Sequence, residues 1–336
     1  MTAHGYAGQI GSILERAREL TSPCVVCPRG CEVHRDRSEV GFCGASSSGR
    51  VFRSGLLIGE EPEISPTYAF WFSGCNMACS FCSTRTAQLE SGLTLADLDL
   101  AIAEAKTLVE SGTVRTVSII GGEPSVSLNG SLELAWRFKG MVPIVWNTNL
   151  YVVNEALELI KSVADIFIVD VHFGNDRCAE EIANMPGYLE VLNANLERIE
   201  ADKLLLRHLL LPGHGECCLR GVVNIASRIP ARKFSLLTNF SPYDVDISRS
   251  GSWGPLSDEE IENAESLLTE SGIEFSLIGR GATDESPRYK IDAASDELLE
   301  MTIDSDGTVV FESQSPSVPE IADSLRSVAF PTKGVT

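Results

Sequence analysis

The stretch GCNMACSFCSTR, residues 74–85, places cysteines at Cys75, Cys79 and Cys82, and the next, Cys178, comes almost a hundred residues later. Thiolates are soft ligands for iron and zinc, and a closed tetrahedral site takes four donors. Three thiolates at x3 and x2 spacing wrap three corners of a cubane iron–sulfur cluster and leave the fourth iron an open coordination position. An open iron binds a substrate or cofactor directly, whereas a fourth cysteine confines a cluster to outer-sphere electron transfer. A zinc site completed by a distant residue, and three unrelated thiols, are the alternatives that the spacing alone leaves open.

The elements that must position this loop follow from periodicity. TYAFWFSG (67–74) reads as a strand that delivers Cys75 at its end, and residues 94–112 have helical spacing, with Thr94 and Asp97 in an N-cap arrangement. Further strands are expected at 113–122, 143–150, 164–173, 203–213 and 233–240, alternating with helices at 129–140, 154–163, 178–201, 216–228 and 257–271. Apolar, β-branched strands alternating with amphipathic helices predict an α/β fold with a parallel sheet buried on both faces. Six such units predict a partial (β/α)6 barrel rather than the full eight.

Loops after the strand ends of such a sheet converge on one rim, where ligands bind. The unusual residue clusters fall there. They are the three cysteines, then GGEP (Gly121, Gly122, Glu123, Pro124), Asn147 and Asn149, Asp170 and His172, and finally Arg207 with PGHGECC (Pro212 to Cys218). In PGHGECC, Cys217 or Cys218 has the chemistry of a hydrogen-atom donor, with His214 as acid or base. The competing account makes Glu216 a first-turn helix residue and packs the cysteines inside. Cys178, at another helix start, reads as a core thiol.

Cys24, Cys27, Cys31 and Cys43 form a second set, numerous enough for a closed site. Structural zinc is the first reading and a fully ligated iron–sulfur cluster the second, with His34 close enough to replace one thiol. Beyond residue 240, SPYDVDISRSGSWGPLS reads as a rim loop, and residues 297–313 as a hairpin turning at Asp306-Gly307.

Composition limits the context. A chain of 336 residues accommodates one large α/β domain with a small appendage. Ten cysteines without a secretory signal favour metal or redox ligation over disulfides, so a reducing, cytoplasmic setting is expected. There is no run of eighteen apolar residues, so no membrane partner is expected. The 47 acidic against 27 basic residues give a charge of −20, which disfavours nucleic acid as a partner.

Cys75-x3-Cys79-x2-Cys82, with Phe81 before the last cysteine and GGEP ending the next strand, resembles the signature of the radical S-adenosylmethionine superfamily. CVVCPRGCEVHRDRSEVGFCG, FGNDRCAEEIANMPGYLEVL and LLLRHLLLPGHGECC resemble the subgroup of homologues of pyruvate formate-lyase activating enzyme, over roughly residues 20 to 240. The resemblance implies a Cys-rich leader at 1–60, a radical SAM partial barrel at 61–280 and a C-terminal extension at 281–336. It also implies a 4Fe-4S cluster on Cys75, Cys79 and Cys82 whose open iron chelates S-adenosylmethionine. Gly121, Gly122 and Glu123 would approach the ammonium of that cofactor, Asn147 or Asn149 its ribose, and Arg207 its carboxylate. Where activating enzymes carry lysine two residues after Asp170, this chain has His172, which leaves that carboxylate contact open to a cofactor or substrate role. The implied reaction is reductive cleavage to a 5′-deoxyadenosyl radical that abstracts hydrogen from a small molecule or peptide, with an electron donor such as flavodoxin or ferredoxin. The other readings are a glycyl-radical activating enzyme for a partner protein, an iron–sulfur electron carrier or redox sensor, and a zinc-stabilised interaction protein.

Overall fold

In sheet order the eight strands of the main sheet simply follow the chain, as a run of short β/α units predicts. The structure, a computed structural model, describes residues 3–58, 61–84, 93–240, 253–279, 289–292, 298–303 and 309–313. The strands are β1 (Val51–Leu57), β2 (Thr67–Phe72), β3 (Thr116–Gly121), β4 (Ile144–Thr148), β5 (Ile166–Asp170), β6 (Leu204–Leu209), β7 (Lys233–Leu237) and β8 (Phe275–Ile278). Strands β2 to β8 run parallel and β1 pairs antiparallel with β2. The sheet is open, with β1 and β8 at its edges. The partial α/β barrel is therefore as expected, extended by an antiparallel strand at one edge and a seventh parallel strand at the other.

Helices α1 (Ala3–Thr21), α2 (Leu95–Glu110), α3 (Leu128–Trp136), α4 (Asn154–Lys161), α5 (Asp176–Ala183), α6 (Tyr188–Leu196), α7 (Arg220–Arg228) and α8 (Asp258–Glu270) complete the frame. Thr94 and Asp97 close a capping box on α2, and Ser257 with Glu260 does the same on α8. Each such cap contributes about 1 kcal/mol. The single helix expected over 178–201 is two, because Asn184 takes a left-handed C-cap (φ 53) and Pro186-Gly187 follow. Strands β10 (Leu298–Ile303) and β11 (Val309–Ser313) pair antiparallel, with β9 (Tyr289–Asp292) beside β10. The hairpin is thus present, while its turn at Asp306-Gly307 lies outside the described residues, as does most of the expected rim loop after 240.

Side chains alternate between the two faces of each strand. Phe70, Ile119, Trp146, Phe167, Leu206 and Leu236 join the large core beneath the helices. Val145, Ile168 and Leu205 point the other way and meet Ile64, which fills the base of the sheet's concave face. By the same alternation Asn147, Asp170 and Arg207 lie on that concave face, towards the strand ends.

Candidate functional site

The cysteine loop is tied down by its backbone. Cys75 N donates to Cys43 O (3.2 Å), Ala78 N to Ala183 O (2.9 Å), Ser80 N to Ile182 O (2.9 Å) and Cys82 N to Cys79 O (3.3 Å). The three side chains stay uncrosslinked thiols. Burial pushes the Cys75 thiol well up from its ordinary value, with the neighbouring Cys79, Glu123 and Cys82 adding to the effect. Against this crowding stands a Met77 N–H on Cys75 Sγ at 3.4 Å. Three thiols that repel one another as thiolates on a shared loop suit a cationic iron group, which would hold all three deprotonated.

Beside this loop the β3 edge is pressed flat against β2. Gly121 has φ +143, and a Cβ there would lie 2.2 Å from Phe72 O and 2.3 Å from Phe72 N. Only glycine admits this approach. Gly122 N donates to Phe72 O (2.9 Å) and Glu123 N to Gly74 O (2.9 Å), so the turn is stitched to the residues feeding Cys75. Gly121→Ala is expected to cost roughly 3 kcal/mol or more from strain and overpacking, read as a lower urea midpoint.

Glu123 is fully buried and its carboxylate is taken up by protein donors: Ser125 N (2.9 Å), Thr148 Oγ1 (2.9 Å) and Asn149 N (2.7 Å). Burial raises its pKa and these hydrogen bonds oppose the rise. Glu123 thereby locks the ends of β3 and β4 together, and Pro124 opens a short 3-10 turn behind it. The two asparagines are separated by their surroundings. Asn149 gives Nδ2 to Asn76 Oδ1 (2.9 Å) and accepts Tyr151 N on Oδ1 (2.9 Å), so its amide is structural. The Asn147 side chain, on the concave face, has no hydrogen-bond partner among the described residues, while its backbone lies in the β4–β5 ladder.

Arg207 lies deeper, where Glu61 takes its guanidinium in a two-point pair, with Nε to Oε1 at 3.0 Å and Nη2 to Oε2 at 2.5 Å. Asp170 stands 3.8 Å from Nε. Burial lifts Asp170 to about 6, with Arg207 lowering and Glu61 raising the value. The Glu61 pairing was not visible in the sequence, and it occupies two of the N–H groups of the guanidinium that the resemblance assigned to a cofactor carboxylate.

The far rim is aromatic. Phe81 lies 5.9 Å from the His172 ring and 6.5 Å from Trp253, which in turn lies 5.6 Å from His214 and gives Nε1 to Ser80 Oγ at 3.3 Å. Trp253 thus joins the cysteine loop to the PGHGECC segment. Residues Gly215–Leu219 of that segment form a π-helical turn, a feature that recurs at functional sites. Cys178, read from sequence as a core thiol, sits 3.7 Å from Cys217 Sγ.

Burial holds His172 and His208 at about 4, and His208 stays neutral with Nδ1 on Val171 O at 2.7 Å. A lowered histidine pKa means the native state binds fewer protons than the unfolded chain between pH 4 and 6.5, so stability falls as pH drops through that window. Asp170, raised to about 6, acts in the opposite sense between pH 6 and 4. His208 therefore contributes a loss of stability as pH falls from 6.5 to 4. Denaturant midpoints would record it, and His208→Gln should flatten the slope.

The leader docks directly on this site. Arg29 Nε donates to Asn76 O (2.7 Å), and Val153 N to Val26 O (3.0 Å). Buried Arg35 reaches Cys24 Sγ (2.9 Å) and Cys43 Sγ (3.4 Å), while its Nε has no partner among the described residues. The guanidinium thus donates to two of the four leader thiols.

A separate cleft of about 600 Å³ lies at the opposite strand ends, lined by Arg232, Lys233 and Glu63 among others. That end of a β/α sheet serves stability rather than chemistry. No helix among the described residues is long and apolar enough to cross a membrane.

Residues 70–225 match the family described as the Radical SAM superfamily. The uncharacterized protein MJ0674 of Methanocaldococcus jannaschii is 28% identical over 220 residues, covering 64% of each chain, so the present chain spans under two thirds of that relative. Among solved structures, Streptococcus suis SuiB bound to S-adenosylmethionine is 14% identical with a TM-score of 0.45, covering 61% of this chain and 48% of that one. The FeFe-hydrogenase maturase HydG of Carboxydothermus hydrogenoformans is 19% identical with a TM-score of 0.46, covering 60% and 50%. The family match takes in the three-cysteine loop, the glycine turn folded on it and the strand carrying Arg207, and on that ground residues 70–225 are a radical SAM domain.

Proposed function

We propose that the chain uses Cys75, Cys79 and Cys82 to hold a 4Fe-4S cluster and cleaves S-adenosylmethionine reductively, with a small molecule or peptide as substrate. The observation that carries this reading is the three-thiol loop lying against the Gly121-Gly122 edge. When bound, the cluster supplies the electron that breaks the sulfonium C–S bond and yields a 5′-deoxyadenosyl radical. This chain's residues bind and orient. Gly121 and Gly122 offer backbone free of Cβ to the methionine ammonium, and Glu123 holds their turn in place. Asn147 offers its free amide to the ribose hydroxyls. Phe81 and His172 wall the rim and exclude water. Arg207, engaged with Glu61, holds Asp170 at the floor, and an outside donor such as flavodoxin or ferredoxin delivers the electron.

For the leader we favour a second, fully ligated iron–sulfur cluster over zinc, because Arg35 between Cys24 and Cys43 suits an anionic, thiolate-rich group wider than one ion. Because Cys43 O accepts from Cys75 N, such a cluster would lie beside the three-cysteine loop. Such an elaboration favours a small-molecule or peptide substrate over glycyl-radical activation of a partner protein.

The test is anaerobic reconstitution with iron and sulfide, dithionite reduction and chromatography for 5′-deoxyadenosine after adding S-adenosylmethionine. Product is expected. A chain with intact cluster and no product, across small-molecule, peptide and protein candidates, would instead be an electron carrier.

A further inference from the structure

We propose that Cys178, His214, Cys217 and Cys218 form a closed four-ligand zinc site on the rim, separate from both other cysteine sets. Their ligating atoms all lie within 4.8 Å of one another, and among the described residues no other group of metal-ligating side chains is so tight. The individual separations are 3.7 Å for Cys178 Sγ to Cys217 Sγ, 3.8 Å for Cys178 Sγ to His214 Nδ1 and 3.2 Å for His214 Nδ1 to Cys217 Sγ. A tetrahedral zinc with Zn–S of about 2.3 Å and Zn–N of about 2.0 Å has ligand–ligand edges of roughly 3.5–3.8 Å. One ion therefore spans the group, whereas the cysteine sulfurs around a cubane cluster lie much farther apart. Three cysteines and one histidine are a standard structural zinc set.

The site is built from two loops that the chain takes trouble to join. Cys178 comes from the first turn of α5, after β5, and the other three ligands come from the segment between β6 and α7. Gly174 and Gly221 bring the loops together: a Cβ on Gly174 would sit 1.9 Å from Cys218 O, and one on Gly221 2.0 Å from Gly174 O. Asn175 supplies the supporting shell. Its Nδ2 points at Cys178 Sγ (3.2 Å) and Cys218 Sγ (3.7 Å) and also donates to Cys217 O, while its Oδ1 caps α5 at Cys178 N (2.8 Å). Hydrogen bonds to ligating sulfurs are what orient and tune a metal site. The π-helical turn brings adjacent Cys217 and Cys218 to one centre.

Bound this way, Cys217 and Cys218 cannot serve as hydrogen-atom donors. The ion instead clamps the β5 and β6 loops and so fixes Trp253 and His172 opposite the cysteine loop. The assignment stands whether or not the chain cleaves S-adenosylmethionine.

The test uses the full chain grown with zinc. Metal analysis of wild type, Cys217→Ser and His214→Ala should show one zinc per chain in wild type that both variants lose, with iron unchanged. Zinc held by the leader would not respond to these substitutions. Asn175→Ala should retain the site with affinity weakened roughly 10–100-fold. Because a variant can misfold, wild type is also alkylated with iodoacetamide and mapped by mass spectrometry: Cys217, exposed in the fold, should resist until a strong chelator removes the zinc. Equal zinc in wild type and both variants, or ready alkylation of Cys217 in the zinc-replete chain, would overturn the assignment.

Discussion

Cys79→Ala is expected to abolish 5′-deoxyadenosine formation and to lower iron by about four atoms per chain, while the protein still folds. The separation of effects follows from how the loop is held. Its anchors are backbone hydrogen bonds from Ala78 to Ala183 and from Ser80 to Ile182, which flank position 79 and do not use its side chain. Cys79 is only partly buried, so alanine leaves no large cavity. What is lost is one of three thiolates, and two cannot retain a cluster with a single open corner. Iron content, the thermal midpoint and product are read on one preparation. A variant that keeps wild-type product would remove Cys79 from the chemistry.

The second large effect concerns stability. Glu61→Ala should cost about 3–5 kcal/mol, because it leaves the Arg207 guanidinium buried with half its charge compensation gone. Arg207 and Glu61 side chains are 6% and 1% exposed, so water cannot replace the lost partner. Asp170, at 3.8 Å, is the remaining anion, and without Glu61 its raised pKa should fall as it takes over the pairing. Glu61→Ala combined with Arg207→Met should recover most of the stability, since it removes the buried unpaired guanidinium and leaves only Asp170, 25% exposed, to lose its cation. Urea midpoints of the single and double variants distinguish this from simple loss of packing, for which the double variant would be the worse.

The parallel strands were legible because burial on both faces demands apolar, β-branched runs such as IFIVD in β5. The edge strands were not. β1 carries Arg53, Ser54 and Gly55 in its middle and a register shift between Val51 and Arg53, so it lacks a clean alternation. β8 has four residues, all half-buried. The cysteine loop and glycine turn were legible because their chemistry is local in sequence. Glu61 opposite Arg207, 146 residues apart, and Cys178 opposite Cys217, 39 apart, depend on how the sheet curls, and no local pattern encodes that. Asn184 and Pro186-Gly187, which split the expected long helix, were available as turn signals, but the amphipathic residues on either side outweighed them.

The most direct test of the central claim is electron paramagnetic resonance of the anaerobically reconstituted, reduced protein with and without S-adenosylmethionine. An open iron on the three-cysteine cluster predicts that the reduced cluster signal changes shape when S-adenosylmethionine is added, and that this responsive component is missing from Cys79→Ala. A reduced cluster signal that S-adenosylmethionine leaves unaltered would contradict it.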